Sequence, residues 1–153
     1  MKLFDPVSPA AVLTDLRGET KDEALRELSE AAARLVPTVS ADDVMAILQD
    51  RERLGSTGIG EGAAIPHGKV AGLDRLVTVF ARSKAGVQFQ SLDGKPTHLF
   101  FLVLAPEHSA GLHLKALARI SRLLKDARFR ASLSEAPDAV ALIELLSEAD
   151  EHE

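Results

Sequence analysis

Seven consecutive apolar residues, Leu99 to Ala105, place the strictest constraint on how this chain can fold. The run is followed by Pro106, which has no amide hydrogen to continue a strand ladder. Its length suits a β-strand that is covered on both faces and is far too short to cross a bilayer. We therefore predict a central strand with helices packed against each side.

Helical patterns occupy both ends of the chain, and strand patterns occupy the middle. Residues 1–19 are predicted to be extended. Thr20 and Glu23 form a capping box ahead of a first helix that Pro37 stops. Ser40 is the expected N-cap of a second helix, which should end between residues 51 and 54. This arrangement predicts one α/β domain.

The remaining elements follow from apolar spacing. Strands are predicted at residues 76–81, 86–89 (a short edge strand) and 99–105, with a turn at 92–95. Helices are predicted at about 112–125, at 128–133 and after Pro137. The apolar faces of the first and last of these helices are expected at Leu114, Leu117, Ala118, Ser121, Leu124, Val140, Ile143, Leu145 and Leu146. We expect one domain over residues 1–153, with a core at about 5–146 and a frayed acidic tail at 147–153.

Composition excludes several kinds of protein. The 153 residues contain no cysteine, so disulfides, thiol catalysis and cysteine metal sites are excluded, and a reducing cytosol fits this usage. The net charge of −5 and the lack of Trp and Tyr argue against a nucleic-acid partner. No long apolar stretch follows Lys2, so we expect neither a signal peptide nor membrane insertion.

The chemistry centres on a glycine-rich segment, residues 55–69, that contains His67 between Pro66 and Gly68. Pro66 fixes one backbone torsion and Gly68 lets the chain turn, which predicts an imidazole at a rigid, open corner. Imidazole changes protonation near neutral pH and can act as a nucleophile or proton carrier. A surface histidine in an ordinary loop is the alternative.

Three other sequence motifs that would indicate a bound ligand do not match the patterns they require. The glycines at 58–62 do not follow a predicted strand, and Pro66 prevents a helix directly behind them, so a dinucleotide loop is excluded. A phosphate-binding P-loop needs a Ser or Thr where Val70 stands. His108 and His113 are five residues apart rather than four, so we expect no metal site and no cofactor.

The sequence resembles the enzyme IIA component of the bacterial sugar phosphotransferase system, of the fructose/mannitol/nitrogen-regulatory class. The likeness runs from about Lys21 to Leu146 and has two main blocks. The blocks are Arg-Glu-Arg-Leu-Gly-Ser-Thr-Gly-Ile-Gly at 51–60 with Ala-Ile-Pro-His-Gly-Lys at 64–69, and residues 104–106 with 113–117. The family commonly has Asn where this chain has Glu61. The resemblance implies a mixed sheet flanked by helices on both faces.

The resemblance also implies roles for individual residues. His67 is expected to be phosphorylated, with His113 and Arg51 around the phosphoryl group. Arg53 could take the arginine role on composition alone, and only the family register favours Arg51. From their own chemistry rather than from the resemblance, Ser56 and Thr57 are expected to hydrogen-bond the phosphate, or else to cap the loop. We expect His108 on the surface, His98 at the start of the central strand without a role, and His152 in the tail.

These expectations describe a cytoplasmic phosphotransferase component. It would take a phosphoryl group from an HPr-type phosphohistidine carrier of the nitrogen branch. The amino-acid sequence of residues 55–69 and the single domain favour nitrogen-related regulation. One alternative is a fructose- or mannitol-type IIA that passes phosphate to a IIB component for sugar uptake. The other is a regulatory binding module whose phosphorylation gates contact with other proteins.

Overall fold

A computed structural model describes residues 2–4 and 8–151, which form six strands, five α-helices and a 3-10 turn at Pro9–Ala11. The strands are β1 (Val12–Leu13), β2 (Gly58–Gly60), β3 (Ala63–Ala64), β4 (His67–Val70), β5 (Val77–Val87) and β6 (Thr97–Pro106). The helices are α1 (Lys21–Leu35), α2 (Ala41–Arg53), α3 (Ala110–Lys125), α4 (Ala127–Glu135) and α5 (Ala139–Glu151). The 3-10 turn and β1 interrupt the segment that was predicted to be extended, of which residues 1 and 5–7 lie outside the described ranges.

The caps of the first two helices are as the sequence predicts. The Thr20 hydroxyl accepts a hydrogen bond from the amide of Glu23, and the Glu23 carboxylate accepts one from the amide of Thr20. The Ser40 hydroxyl accepts one from the amide of Asp43 at 3.0 Å. These bonds satisfy amides that have no partner within a helix, so they fix where α1 and α2 begin.

β6 is the central strand of a mixed sheet. It pairs antiparallel with β5 on one edge and parallel with β3 and β4 on the other. β1 lies beyond β5, and β2 lies beyond β3. Val103 in the middle of β6 is flanked by His67 of β4 and Thr78 of β5. The strand that carries His67 is therefore held directly against the most buried strand of the protein.

The sheet separates two apolar cores. Phe100, Leu102 and Leu104 of β6 point to the side covered by α1 and α2. Leu99, Phe101 and Val103 point to the side covered by α3, α4 and α5. Both sets are at most 2% exposed, so every side chain of this stretch is buried, as expected for a strand between two helical layers. The predicted α/β fold with a mixed sheet between helices is confirmed.

The predicted edge strand at 86–89 is wrong. Residues 86 and 87 belong to β5, whose register with β6 shifts between Arg82 and Val87. Gly86 has a φ of +91° at this irregularity, a conformation that favours glycine. A β-bulge therefore breaks the sequence pattern while the strand itself continues.

Apolar periodicity predicted the buried faces of α3 and α5 only in part, since Leu124 and Leu146 are buried as expected. Leu114 is 68% exposed and Val140 is 63% exposed. The described side chains that are buried on these helices are His113, Ala116, Arg119, Ile120 and Leu124 on α3, and Leu142, Leu146 and Asp150 on α5. Arg119 and Asp150 face inward here because they have polar partners, which a count of apolar residues does not detect.

The acidic tail predicted at 147–153 is helical as far as Glu151, while His152 and Glu153 lie outside the described residues. Asp150 near its end is 2% exposed. Its carboxylate accepts hydrogen bonds from the amides of Leu3 (2.8 Å) and Phe4 (2.5 Å), and it lies 3.4 Å from the guanidinium of Arg119. One carboxylate thus joins the two ends of the chain to α3.

We predict that Asp150→Ala destabilises the protein by about 3 kcal/mol, because it removes the carboxylate paired with a buried guanidinium and the acceptor of two amides. Glu148→Ala, an exposed carboxylate on the same helix, should change stability by no more than about 0.5 kcal/mol. Urea unfolding followed by far-UV circular dichroism measures both, since the chain has no Trp for fluorescence. Equal losses in the two variants would show that the Asp150 contacts contribute nothing specific.

Candidate functional site

The glycine-rich segment is ordered β-structure rather than an open loop. β2 and β3 form an antiparallel hairpin whose turn is Glu61 and Gly62, with φ of +56° and +73°. Such a two-residue turn suits the twist of the flanking strands. His67 is the first residue of β4, so the predicted open corner is wrong. The histidine is half-buried at the edge of the sheet, and its backbone is fixed by pairing with β6.

Gly68 is needed for close packing rather than for a turn. A Cβ atom at this position would lie 2.4 Å from Cγ2 of Ile47, a residue of α2. The missing side chain lets β4 approach α2 at this point. Arg51 lies one helical turn after Ile47 and on the same face of α2. The contact at Gly68 therefore brings Arg51 beside His67.

The hydrogen bonds of His67 define its tautomer. Nδ1 lies 2.8 Å from the carbonyl oxygen of Ile65, which can only accept, so Nδ1 carries the proton. Nε2 lies 3.2 Å from Nε of Arg51, which can only donate. The imidazole is therefore neutral, and the lone pair of Nε2 points toward a cation. Arg51 is anchored in turn by a 3.0 Å hydrogen bond from Nη1 to the carbonyl oxygen of Gly55.

His113 in the first turn of α3 faces the same imidazole. The two ring centroids are 5.3 Å apart, and the rings meet edge to face at 69°. His113 is buried, and no group within residues 2–4 and 8–151 hydrogen-bonds to its Nε2. A buried polar atom without a hydrogen-bond partner costs free energy. Such an atom beside an open site is therefore commonly one that binds a ligand.

Both histidines have lowered pKa values. Burial is the main cause for His67 and lowers its pKa below the usual 6.5. The charge of Arg51 lowers this pKa further, while the Ile65 carbonyl and the Glu52 carboxylate oppose the change. Burial also lowers the pKa of His113, with help from His67 and Lys69. Both rings are thus held neutral around pH 7, the state in which a ring nitrogen can act as a nucleophile.

The hydroxyls of Ser56 and Thr57 are engaged with other protein groups. Ser56 donates to the carbonyl oxygen of Phe89 at 3.2 Å. Thr57 is buried and donates to the carboxylate of Glu52 at 2.5 Å. Their predicted contacts to phosphate stay predictions, and the structure gives each hydroxyl a different partner.

The other candidate residues lie apart from these contacts. Arg53 is exposed and pairs with Asp50, so of the two arginines it is Arg51 that contacts His67. His108 is exposed in the turn after β6, and His98 is in β6 with Nδ1 at 2.9 Å from the Ser83 carbonyl oxygen. The carboxylate of Glu61 lies 3.5 Å from Arg130.

The described ranges contain no group of three or more His, Asp or Glu side chains that could bind a metal ion. No helix in this part of the chain has both the length and the apolar character needed to cross a membrane.

Glu52, which follows Arg51 directly along the chain, was not predicted from the sequence to serve the site. Glu52 lies at the end of α2 with its side chain 6% exposed. The only signal was its position inside the Arg-Glu-Arg block at 51–53, where it resembled one more solvated charge. Of its partners, Lys21 is distant in the sequence, and Thr57 lies five residues on, beyond the end of α2, so helical spacing indicates neither contact.

Comparisons with known proteins identify a family that the chain matches over nearly its whole length. The model of the family described as phosphoenolpyruvate-dependent sugar phosphotransferase system, EIIA 2, matches residues 6–149. A nitrogen regulatory protein of Bradyrhizobium diazoefficiens is 43% identical over 147 residues, which are 96% of this chain and 95% of that protein. A fructose-specific EIIABC component of Bacillus subtilis is 33% identical over 98% of this chain, which spans 24% of that longer protein.

Among solved structures, the crystal structure of the nitrogen regulatory protein IIA-Ntr from Neisseria meningitidis is similar to this one. The TM-score is 0.85 with 33% sequence identity, and the match covers 91% of this chain and 94% of that chain. This likeness extends over both helical layers and the sheet between them, since it includes nearly the whole chain.

We predict that Gly68→Ala destabilises the protein by about 1–3 kcal/mol, because the new methyl group overlaps Ile47. Adding Ile47→Ala should remove the clash, so the double variant should be more stable than the sum of the single effects by about 1 kcal/mol or more. Gly111→Ala is the control, because open space surrounds that glycine in α3 and alanine favours a helix. Strict additivity at positions 47 and 68 in urea unfolding would contradict the close contact.

Proposed function

The chain belongs to the EIIA 2 family of the phosphoenolpyruvate-dependent sugar phosphotransferase system, and from this premise we propose that His67 is its phosphorylated residue. The protein is a phosphotransferase component, a phosphocarrier of the nitrogen-related branch. The observation that carries the assignment to His67 is its tautomer. Nδ1 donates to the Ile65 carbonyl, so the lone pair of Nε2 is available to attack phosphorus.

The transfer needs no group beyond those already in place. Nε2 of His67 forms a bond to phosphorus as the bond between phosphorus and the ring nitrogen of the donor breaks. The electron pair of the broken bond stays with the donor imidazole. Nδ1 of His67 keeps its proton and its hydrogen bond to Ile65 throughout, so the phosphorylated ring carries a formal positive charge that the charge of the phosphoryl oxygens offsets. The lowered pKa of His67 keeps the attacking nitrogen unprotonated near pH 7.

Arg51 and His113 would stabilise the three charged oxygens. The guanidinium of Arg51 lies 3.2 Å from Nε2, where the phosphoryl group arrives, so it exchanges its bond to nitrogen for bonds to oxygen. The ring of His113 packs edge to face against that of His67, and a phosphoryl oxygen would give its buried Nε2 a partner. Preorganised donors of this kind are the main source of catalysis in phosphoryl transfer.

HPr-type phosphohistidine proteins and IIB components are the usual exchange partners of an EIIA. We propose the HPr-type carrier of the nitrogen branch as the donor and the cytoplasm as the location. Two nearly full-length comparisons, at 43% and 33% identity, are with nitrogen regulatory proteins, which supports this choice. Onward transfer to a IIB component for sugar uptake is the second candidate, favoured by the 33% identity to a fructose-specific EIIABC component.

We predict that incubation with phosphoenolpyruvate and purified phosphotransfer proteins of the nitrogen type adds one phosphoryl group to the protein. Intact-mass analysis should show a label that is stable in base and lost in acid, because protonation of a phosphoramidate nitrogen promotes hydrolysis. His67→Ala should abolish the label, because the variant lacks the nucleophile. His108→Ala, which removes an exposed histidine, should retain it. Full labelling of folded His67→Ala would overturn the assignment.

We predict that Arg51→Ala slows phosphorylation of His67 by about a hundredfold, because a positioned donor to the phosphoryl oxygens is lost. Arg53→Ala should leave the rate within about twofold, since that side chain is exposed and pairs only weakly with Asp50. Arg51→Lys keeps the charge without the planar fork and should recover only part of the rate. A larger loss in Arg53→Ala than in Arg51→Ala, measured by rapid quench and mass analysis, would reverse the two roles.

A further inference from the structure

Glu52 has more polar partners than its place in the sequence indicated. Its carboxylate accepts hydrogen bonds from Nζ of Lys21 at 2.8 Å, from the amide of Thr57 at 3.1 Å and from the hydroxyl of Thr57 at 2.5 Å. The side chain of Lys21 is 14% exposed, and its ammonium also lies 4.8 Å from the ring centre of Phe89. Three donors around one carboxylate hold it in a single orientation.

A continuous chain of contacts leads from Glu52 to the proton-bearing side of His67. Glu52 holds Thr57 through two hydrogen bonds. The carbonyl oxygen of Thr57 accepts from the amide of Ile65 at 3.0 Å. The carbonyl oxygen of Ile65 accepts from Nδ1 of His67 at 2.8 Å. The orientation of the imidazole thus depends on where Thr57 is held.

A second path reaches the opposite side of the same ring. Arg51 precedes Glu52 in α2 and donates to Nε2 of His67. The two paths close into one circuit, in which the contacts run from Arg51 to His67, to Ile65, to Thr57, to Glu52 and back through a peptide bond. Glu52 is also bound to α1, through Lys21. A closed circuit of hydrogen bonds fixes the relative positions of its residues more tightly than any single hydrogen bond does.

We propose that Glu52 is a positioning residue for phosphoryl transfer, which holds Arg51 and Ile65 on opposite sides of His67. The inference rests on the proposed role of His67. Glu52 does not touch the reacting atoms and acts through Thr57 and Arg51. Thr57 then serves the site through Glu52, rather than by the contact to phosphate that the sequence suggested. The charge of Glu52 also opposes the lowering of the His67 pKa, which fits a carboxylate close to the ring.

The test uses the full chain with Glu52→Gln, Thr57→Val and the double variant. Glu52→Gln keeps the shape but loses the charge, and Thr57→Val keeps the shape but loses the hydroxyl. We expect each single change to lower the maximal rate of phosphorylation by about tenfold to a hundredfold, the scale of a small misplacement of reacting groups. The concentration of phosphorylated HPr-type donor at half-maximal rate should stay within about twofold. Thr57→Ser, which keeps the hydroxyl, should restore the rate.

Asp50→Asn is the matched control, because Asp50 is an exposed carboxylate at the same end of α2. The double variant should be no slower than the slower single variant, since both changes break one interaction. Rate losses that multiply in the double variant would overturn the proposal. They would indicate instead that Thr57 contacts the phosphate directly. A wild-type maximal rate in folded Glu52→Gln would overturn it as well.

A spectroscopic measurement separates this proposal from the assignment of His67. Nitrogen-15 spectra of the imidazole report which ring nitrogen carries the proton without any phosphoryl transfer. We expect the Nδ1–H form of His67 to lose population in Glu52→Gln and in Thr57→Val, but not in Asp50→Asn. An unchanged tautomer in both test variants would overturn the positioning role. Failure of the wild-type protein to become phosphorylated would instead count against His67 as the phosphoryl acceptor.

Discussion

The hydrogen bond from Nδ1 of His67 to the carbonyl oxygen of Ile65 decides what this site can do. It places the proton on one ring nitrogen and leaves the lone pair on the other, so the imidazole is oriented before any partner arrives. The bond depends on the hairpin that supplies Ile65 and on the pairing of β4 with the central strand β6. A half-buried imidazole without this acceptor could exchange tautomers, and part of the population would present a protonated nitrogen to phosphorus.

Close packing of β4 against α2 places the guanidinium of Arg51 beside His67. β4 can approach α2 only because Gly68 has no side chain to meet Ile47, and that approach brings Arg51 to Nε2 of His67. His113 reaches the ring from the other helical layer, since α3 begins directly after β6. The site therefore draws on both sides of the sheet. Each contributing side chain is carried by regular structure, which favours a geometry that is set in advance of the reaction.

Local signals predicted much of this molecule, because their physical causes lie within a few residues. The capping box at Thr20 acts between residues three apart, and the apolar run at 99–105 needs cover on both faces whatever surrounds it. Long-range contacts were not predictable in this way. The buried pair of Arg119 and Asp150 joins α3 to α5 through residues that an apolar pattern does not single out. Glu52 likewise meets its partners only after folding. The likeness to a family pointed to His67, Arg51 and His113, and the structure supplies their mutual geometry.

The most direct test of the account is the position of phosphorus on the imidazole of His67. Nitrogen-15 and phosphorus-31 spectra of the phosphorylated, isotope-labelled protein identify the nitrogen coupled to phosphorus. The account predicts that this nitrogen is Nε2 of His67, while Nδ1 retains its proton and its bond to Ile65. Phosphorus on Nδ1 would contradict the account, because that nitrogen would then have lost the hydrogen bond that orients the ring. Phosphorus on another residue would contradict the assignment of His67 as the phosphorylated residue.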